Sequence, residues 1–344
     1  MTDAVLGPLV VDVAGLALTE QERRRLRHPL VGQVILFSRN FESLQQLGAL
    51  TREIHALRDP PLLVCVDHEG GRVQRFRGGF SAIPPMARLG ALWDRDVLLA
   101  CRTAVSIGLV LAGELRSHGV DLTFAPVLDL AWGRSAVIGD RALHSDPRVV
   151  SLLAAGLVHG FALAGMSNCG KHFPGHGWTA ADSHHQVPVD RRPLSKILAQ
   201  DAAPYRWLGV TLHSVMPAHV IYPRVDAQPA GFSRRWIEEI LRGDLGFAGA
   251  VFSDDLSMAG AGVAGDVLAR ATAALQAGCD FILVCNDPEA VDRLLADLRW
   301  QPGRSYAQRL ERIAARGGCA EPAALREQDA YRAALRDLDQ ISRT

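Results

Sequence analysis

A closed (β/α)8 barrel, an α/β fold with extra C-terminal helices, is what this sequence predicts. Three observations carry that expectation. Eight short, β-branched apolar runs alternate with longer helical patterns along the chain. Most of those runs are continuously apolar, as parallel strands buried on both faces are. The polar residues that stand out gather where the runs end, and that end of a barrel carries the active site. An open doubly wound sheet is the alternative, but no GxGxxG follows an early strand.

The first strand is expected over residues 9–13, and Thr19 precedes Glu20, Gln21 and Glu22 as a helix N-cap. The second strand covers 33–37, with a helix over 44–57, and the third covers 62–66. An irregular stretch with Gly70, Gly71, Gly78, Gly79 and the Pro84-Pro85 pair leads to a helix over 97–118. Strand four is expected at 122–126 with a helix at 148–164, and strand five at 167–171 with a late helix at 194–200. Strand six is expected at 210–214 with a helix at 233–242, and strand seven at 248–252 with a helix at 267–277. Strand eight, 281–284, leads to a helix at 289–298, and beyond about residue 304 further helices are expected on the outside. No linker, charge run or low-complexity segment divides the chain, so residues 1–344 read as one domain.

With 344 residues, 48% of them hydrophobic, the chain can bury a sizeable core. Lys+Arg and Asp+Glu both number 37, so no basic excess points to nucleic acid or to an anionic membrane surface. Cys65, Cys101, Cys169, Cys279, Cys285 and Cys319 are dispersed and form no CxxC, which reads as reduced thiols in apolar surroundings. The first residues lack the charged and apolar regions of a signal peptide. No run reaches the ~18 apolar residues that a bilayer span needs. The expectation is a soluble, cytoplasmic monomer.

The apolar runs end in Asp67-His68-Glu69, lead to Asp129, and end in Lys171-His172; the sixth carries His213 and leads to His219. The last two end in Ser253-Asp254-Asp255 and Asn286-Asp287. Any one of these could cap a helix or form a rim ion pair. Together on one rim they would line a polar pocket, because buried charges need partners. The segment 171–185, KHFPGHGWTAADSHH, is the richest. Gly175 and Gly177 let it bend, and Asp182 stands two residues before His184, where a carboxylate could orient an imidazole for acid–base work. His172, His176, His184 and His185 could instead ligate a metal, but their spacing matches no known zinc pattern. In the segment 251–258, a strand-end Asp254 is placed as a nucleophile, with Asp255 as cap or substrate ligand. In 66–75, the glycines permit close approach to a ligand, and Asp67 and Arg75 suit sugar hydroxyls. A phosphate loop fits poorly there, since barrel phosphate sites follow strands seven and eight.

These segments together resemble family 3 glycoside hydrolases, most closely the short β-N-acetylglucosaminidases of bacterial peptidoglycan recycling. The matching pieces are VDHEGGRVQRF (66–76), FAPVLDL (124–130), IGDR (138–141), KHFPGHG…DSH (171–184) and FSDDLSM (252–258), in the family's order. The resemblance implies a retaining mechanism with Asp254 as nucleophile, His184 as acid/base and Asp182 as its partner. It implies that Asp67, Arg75, Arg141, Lys171 and His172 hold the terminal sugar, and that no metal or organic cofactor is required. The larger β-glucosidases of the family take a Glu acid/base from a second domain; this chain is expected to do without that domain and to use the DSH segment instead. Trp178-Thr179-Ala180-Ala181 follows the loop where members vary. A histidine titrates near ~6.5, close to working pH, and when neutral adds no second negative charge beside a carboxylate nucleophile. The implied substrate is a GlcNAc-bearing muropeptide. Phosphorolysis and broader β-glycosidase activity remain alternatives, because phosphate can replace water beside a neutral histidine. A metal-dependent hydrolase and a non-catalytic sugar-binding barrel are the rivals outside that chemistry.

Overall fold

The computed structural model describes residues 5–180, 187–317 and 320–343. Eight parallel strands form the centre. They are β1 Leu9–Asp12, β2 Val31–Leu36, β3 Leu63–Val66 and β4 Leu122–Thr123. Then come β5 Cys169–Phe173, β6 Ser214–Pro217, β7 Ala250–Val251 and β8 Ile282–Val284. Ladders run in the orders β8-β1-β2-β3-β4 and β5-β6-β7. The bridges Leu122–Ser167, Val127–Lys171 and Phe252–Phe281 join the two ladders at both seams and close the barrel.

The near-continuous apolar runs follow from that closure. Val10, Ile35, Cys65, Cys169, Met216 and Leu283 fill the inside, while Val11, Val34, Val64, Val215 and Ile282 face the helices. Both faces are buried, so neither tolerates a polar alternation. Between strands, Thr19 and Glu22 form a capping box at helix Glu20–Leu26. Asp96, Asp146, Asp266 and Asp287 each cap a helix with a side-chain oxygen. Asp287, read as a strand-end rim residue, is therefore a cap.

Four expectations need correction. Strand six begins at Ser214, not residue 210: Val210 is exposed, and Thr211 and Leu212 donate back to Leu208 to end helix Ala203–Leu208. The β-branched run there is a helix exit, so His213 lies near the opposite end of the barrel, hydrogen-bonded to Ser167. That extra helix itself follows Leu194–Ala199 and had no separate signal. Helix Tyr306–Ile313 does not simply lie outside. Tyr306 and Ile313 enter the inner core, and the Tyr306 hydroxyl donates to Leu6 and Gly7 carbonyls. Finally, one helix, Val97–Ser117, is long and apolar enough to cross a membrane. Much of it is buried in the molecule, with Ala104, Ile107, Leu111 and Leu115 in the core. The five described cysteines are free thiols, as expected; Cys319 lies outside the described residues.

Candidate active site

A cavity of about 400 Å³ opens at the C-terminal ends of the strands. Asp67 and Glu69 reach it from the end of β3, Lys171 and His172 from β5, Asp254 and Asp255 from the end of β7. Arg75 comes from the hairpin formed by His68–Gly70 and Val73–Gln74 after β3, and Arg141 from the β4 loop. Six residues assigned to the site from sequence thus meet at one cavity: Asp67, Arg75, Arg141, Lys171, His172 and Asp254. Asp182 and His184 lie outside the described residues.

The centre of the cluster is ionic. Lys171 Nζ lies 2.6 Å from Asp67 Oδ1 and 2.6 Å from Glu69 Oε1. Arg141 grips Glu69 with two parallel bonds, 2.7 Å and 2.8 Å. Burial alone would raise Glu69, but Arg141 and Lys171 outweigh it and hold the carboxyl far below its usual range. Burial would likewise lower Lys171, and Asp67 and Glu69 hold it above its usual value instead. Each charge compensates another, which is the condition for burying them. Glu69 is the residue that sequence reasoning left without a role. Its signal was present: a third polar residue at the end of β3, two positions after Asp67 and so on the same face.

A second network orients the histidines. His172 Nδ1 lies 2.7 Å from Asp129 Oδ2, and the His176 backbone N–H donates to Asp129 Oδ1 at 2.6 Å. Asp129 is fully buried, and although burial would raise its carboxyl, His172 and His176 hold it below the ordinary value. The peptides Lys171–His172 and Phe173–Pro174 are cis. Gly177 packs against the β4 loop so closely that a Cβ would stand 2.1 Å from the Leu130 carbonyl oxygen. The substitution Gly177→Ala is therefore expected to cost about 1–3 kcal/mol by overpacking. Thermal unfolding checks this; an unchanged melting temperature would contradict it.

The glycines of the β3 hairpin serve packing. Gly70 and Gly71 have φ of 100° and 55°, and their missing side chains leave space taken by Ile83, Pro84 and Pro85. They do not open the backbone to a ligand, as their sequence context suggested. His68 turns away from the cavity into Phe76 and Phe80, where burial lowers its pKa to about 3 and keeps it neutral.

On the opposite wall, Asp254 Oδ1 accepts the Asp255 N–H at 2.8 Å. Burial works to raise Asp254, but the His219 and His172 imidazoles, that N–H and Lys171 together hold it below the ordinary carboxyl value. His219 is fixed beneath, its Nε2 donating to the Asp255 carbonyl at 3.0 Å. Asp255 is different. Burial pushes its carboxyl up to about 6, and the Ser257 N–H and O–H and the Cys285 N–H offset only part of that. The adjacent carboxyls are thus shifted in opposite senses: Asp254 stays ionised further into acid than an ordinary carboxyl, whereas Asp255 takes up its proton as pH falls through about 6. A carboxyl whose folded pKa is raised stabilises the fold at low pH, fully below about pH 4, and that contribution is lost as pH rises through 6. Asp255→Asn is expected to remove this dependence. The melting-temperature difference between wild type and variant should favour wild type more at pH 4.5 than at 7.5. A difference independent of pH would contradict the assignment.

Among the described residues, no group of three or more His, Cys, Asp and Glu side chains is arranged to hold a metal ion. The arrangement instead offers one ionised, oriented carboxylate facing a neutralised set of hydrogen-bonding groups. That combination suits a polar, uncharged ring with a reacting carbon between the two walls.

Comparison with known proteins agrees with that geometry. Residues 2–315 match the glycosyl hydrolase family 3 N-terminal domain. The chain is 66% identical over 298 residues to a β-hexosaminidase of Bordetella avium (strain 197N), covering 86% of this chain and 85% of that one. It is 60% identical over 337 residues to a β-hexosaminidase of Bordetella parapertussis (strain 12822), covering 97% and 96%. Among solved structures it is similar to NagZ from Neisseria gonorrhoeae in complex with N-trifluoroacetyl-D-glucosamine, with a TM-score of 0.93, 45% identity and 98% of both chains covered. It is also similar to a family 3 β-N-acetylglucosaminidase from Paenibacillus sp. str. FPU-7, with a TM-score of 0.84, 29% identity and coverage of 99% of this chain and 68% of that one.

Proposed function

We propose that this chain, which belongs to glycosyl hydrolase family 3, is a retaining exo-glycosidase that removes terminal, non-reducing β-linked N-acetylglucosamine. The chain is a glycoside hydrolase of β-hexosaminidase type. The observation that carries the mechanism is the pair of walls. Asp254 is held ionised and oriented on one side, and Asp67, Lys171, Arg141 and His172 face the same cavity from the other.

In the first step an Asp254 oxygen attacks the anomeric carbon, the glycosidic C–O bond breaks, and the leaving oxygen takes a proton from His184. In the second, His184 takes a proton from water, whose oxygen displaces Asp254, so the product keeps the β configuration. Asp182 orients the imidazole. The roles of His184 and Asp182 rest on the match of DSH at 182–184 to the family motif. Asp67, Arg75, Arg141, Lys171 and His172 hold the ring hydroxyls. The same resemblance supports a muropeptide substrate in cell-wall recycling, and a monomeric enzyme acting in the cytoplasm without a cofactor.

Hydrolysis of an aryl β-N-acetylglucosaminide beside the matching β-glucoside tests this, with and without phosphate. Turnover confined to the first substrate, releasing free sugar in both buffers, is the expected result. Equal turnover of both would return the reading to a general family 3 glycosidase. A sugar 1-phosphate that forms only with phosphate would make the enzyme a phosphorylase.

A further inference from the structure

We propose that the C-terminal helix Asp329–Arg343 sets the position of Arg75 in the cavity through a hydrogen-bonded relay of Tyr331, Glu114, Ser81 and Gln74. The inference rests on the reading of Arg75 as a sugar ligand, and it makes these four positioning residues. The helix lies beyond residues 2–315, the part that matches the family domain.

The relay begins at a buried carboxylate. Glu114 sits on helix Val97–Ser117, and its described donors are two hydroxyls and one amide, not a cation. Tyr331 Oη donates to Glu114 Oε1 at 2.6 Å, as does Ser81 Oγ at 2.6 Å, and the Ser81 N–H donates to Oε2 at 2.9 Å. A buried carboxylate that loses one of three such donors is left poorly compensated, so the three groups hold one another tightly. Tyr331 is itself buried, and Asp337, two turns on, accepts from Ser106 Oγ at 2.8 Å and pairs with Arg102 at 3.2 Å. The helix is thereby locked to helix Val97–Ser117 at two points.

From Ser81 the connection runs to the hairpin. The buried Gln74 amide donates to the Ser81 carbonyl at 2.9 Å and to the Phe76 carbonyl at 3.1 Å, and its oxygen accepts the Ile83 N–H at 2.9 Å. These bonds fix the backbone on both sides of Arg75. Arg75 needs that support, because its own anchors are weak. Its Nη2 is 3.6 Å from Asp67 Oδ2, beyond hydrogen-bond distance, and its buried Nε has no hydrogen-bond partner among the described residues. Lys171 and Arg141, by contrast, are each held at their carboxylates by bonds of 2.6–2.8 Å. Among the described residues, Arg75 is the cation of this cluster that has no short bond to a carboxylate, its other contact being the Phe37 ring at 5.8 Å, so its placement depends on the loop behind it.

The test is a pair of variants, Tyr331→Phe and Ser81→Ala, each made in wild type and in Arg75→Ala. Steady-state kinetics on an aryl β-N-acetylglucosaminide and amide hydrogen exchange over residues 70–83 are the readouts. Loss of one relay bond is expected to raise KM roughly three- to tenfold with kcat within about twofold. In the Arg75→Ala background the same substitution should change kcat/KM by less than about 1.5-fold, because the acting group is gone. Exchange over 70–83 should quicken in both variants. The proposal is overturned if KM stays unchanged while the melting temperature falls, or if the kinetic effect is as large without Arg75 as with it. If wild type does not turn over the glycoside, the reading of the function fails. Exchange then decides the relay alone, and unchanged exchange over 70–83 overturns it.

Discussion

Asp254→Asn is expected to lower kcat on the order of 10,000-fold or more while leaving the fold intact. The amide keeps an oxygen that can accept the Asp255 N–H now bound at 2.8 Å, and it occupies the same volume. What it loses is the charge that forms the bond to the anomeric carbon. The adjacent carboxyl does not replace it: Asp255 is turned to the Ser257 and Cys285 amides and its carboxyl is pushed up to about 6. Kinetics on an aryl β-N-acetylglucosaminide, beside a thermal melt, check both parts. Activity within about tenfold of wild type would remove Asp254 from the nucleophile's role.

The second large effect is on stability. Lys171→Met is expected to destabilise the protein by about 3–5 kcal/mol, because it leaves Asp67 and Glu69 facing a buried space with half their compensation gone. Lys171 is only 3% exposed at its side chain, so water cannot take the ammonium's place. Glu69→Gln added to Lys171→Met removes one of the stranded carboxylates. The double variant should therefore be less unstable than the sum of the two single changes. Denaturant unfolding of the four proteins measures the coupling, and strict additivity would mean that the three groups do not act as one unit.

Much of this arrangement was legible before any coordinates. The alternating apolar runs carried the barrel because strands buried on both faces leave a continuous pattern, even though the sixth run was placed almost a strand too early. Asp67, Lys171, His172 and Asp254 were legible because so many charges at the ends of such runs need one shared polar pocket, although a single strand-end charge such as Asp287 can be only a helix cap. Where the sequence misled, local chemistry imitated a different element. Val210-Thr211 looks like a strand start, yet it is the hydrogen-bonded exit of a short helix. Gly70 and Gly71 look like a ligand-approach loop, yet their bare backbone faces Ile83, Pro84 and Pro85. His68 sits between two site carboxylates in sequence, and the alternation of a strand turns it into an aromatic cluster instead. Glu69 and Asp129 were visible as polar residues at strand ends, but their partners lie 72 and 43 residues away, and no local pattern reports such a pairing. The relay from Tyr331 is more distant still, 217 residues from Glu114.

The central claim is that Asp254 becomes covalently bonded to the sugar, and mass spectrometry of the trapped enzyme tests it most directly. An N-acetylglucosaminyl fluoride carrying a second fluorine at C5 slows both steps but leaves the better leaving group in place for the first, so the intermediate accumulates. After denaturation and digestion, the sugar mass is expected on the peptide that contains Asp254 and on no other. Inactivation with the label on a different carboxylate, or steady turnover of the fluoride with no label at all, would contradict the mechanism.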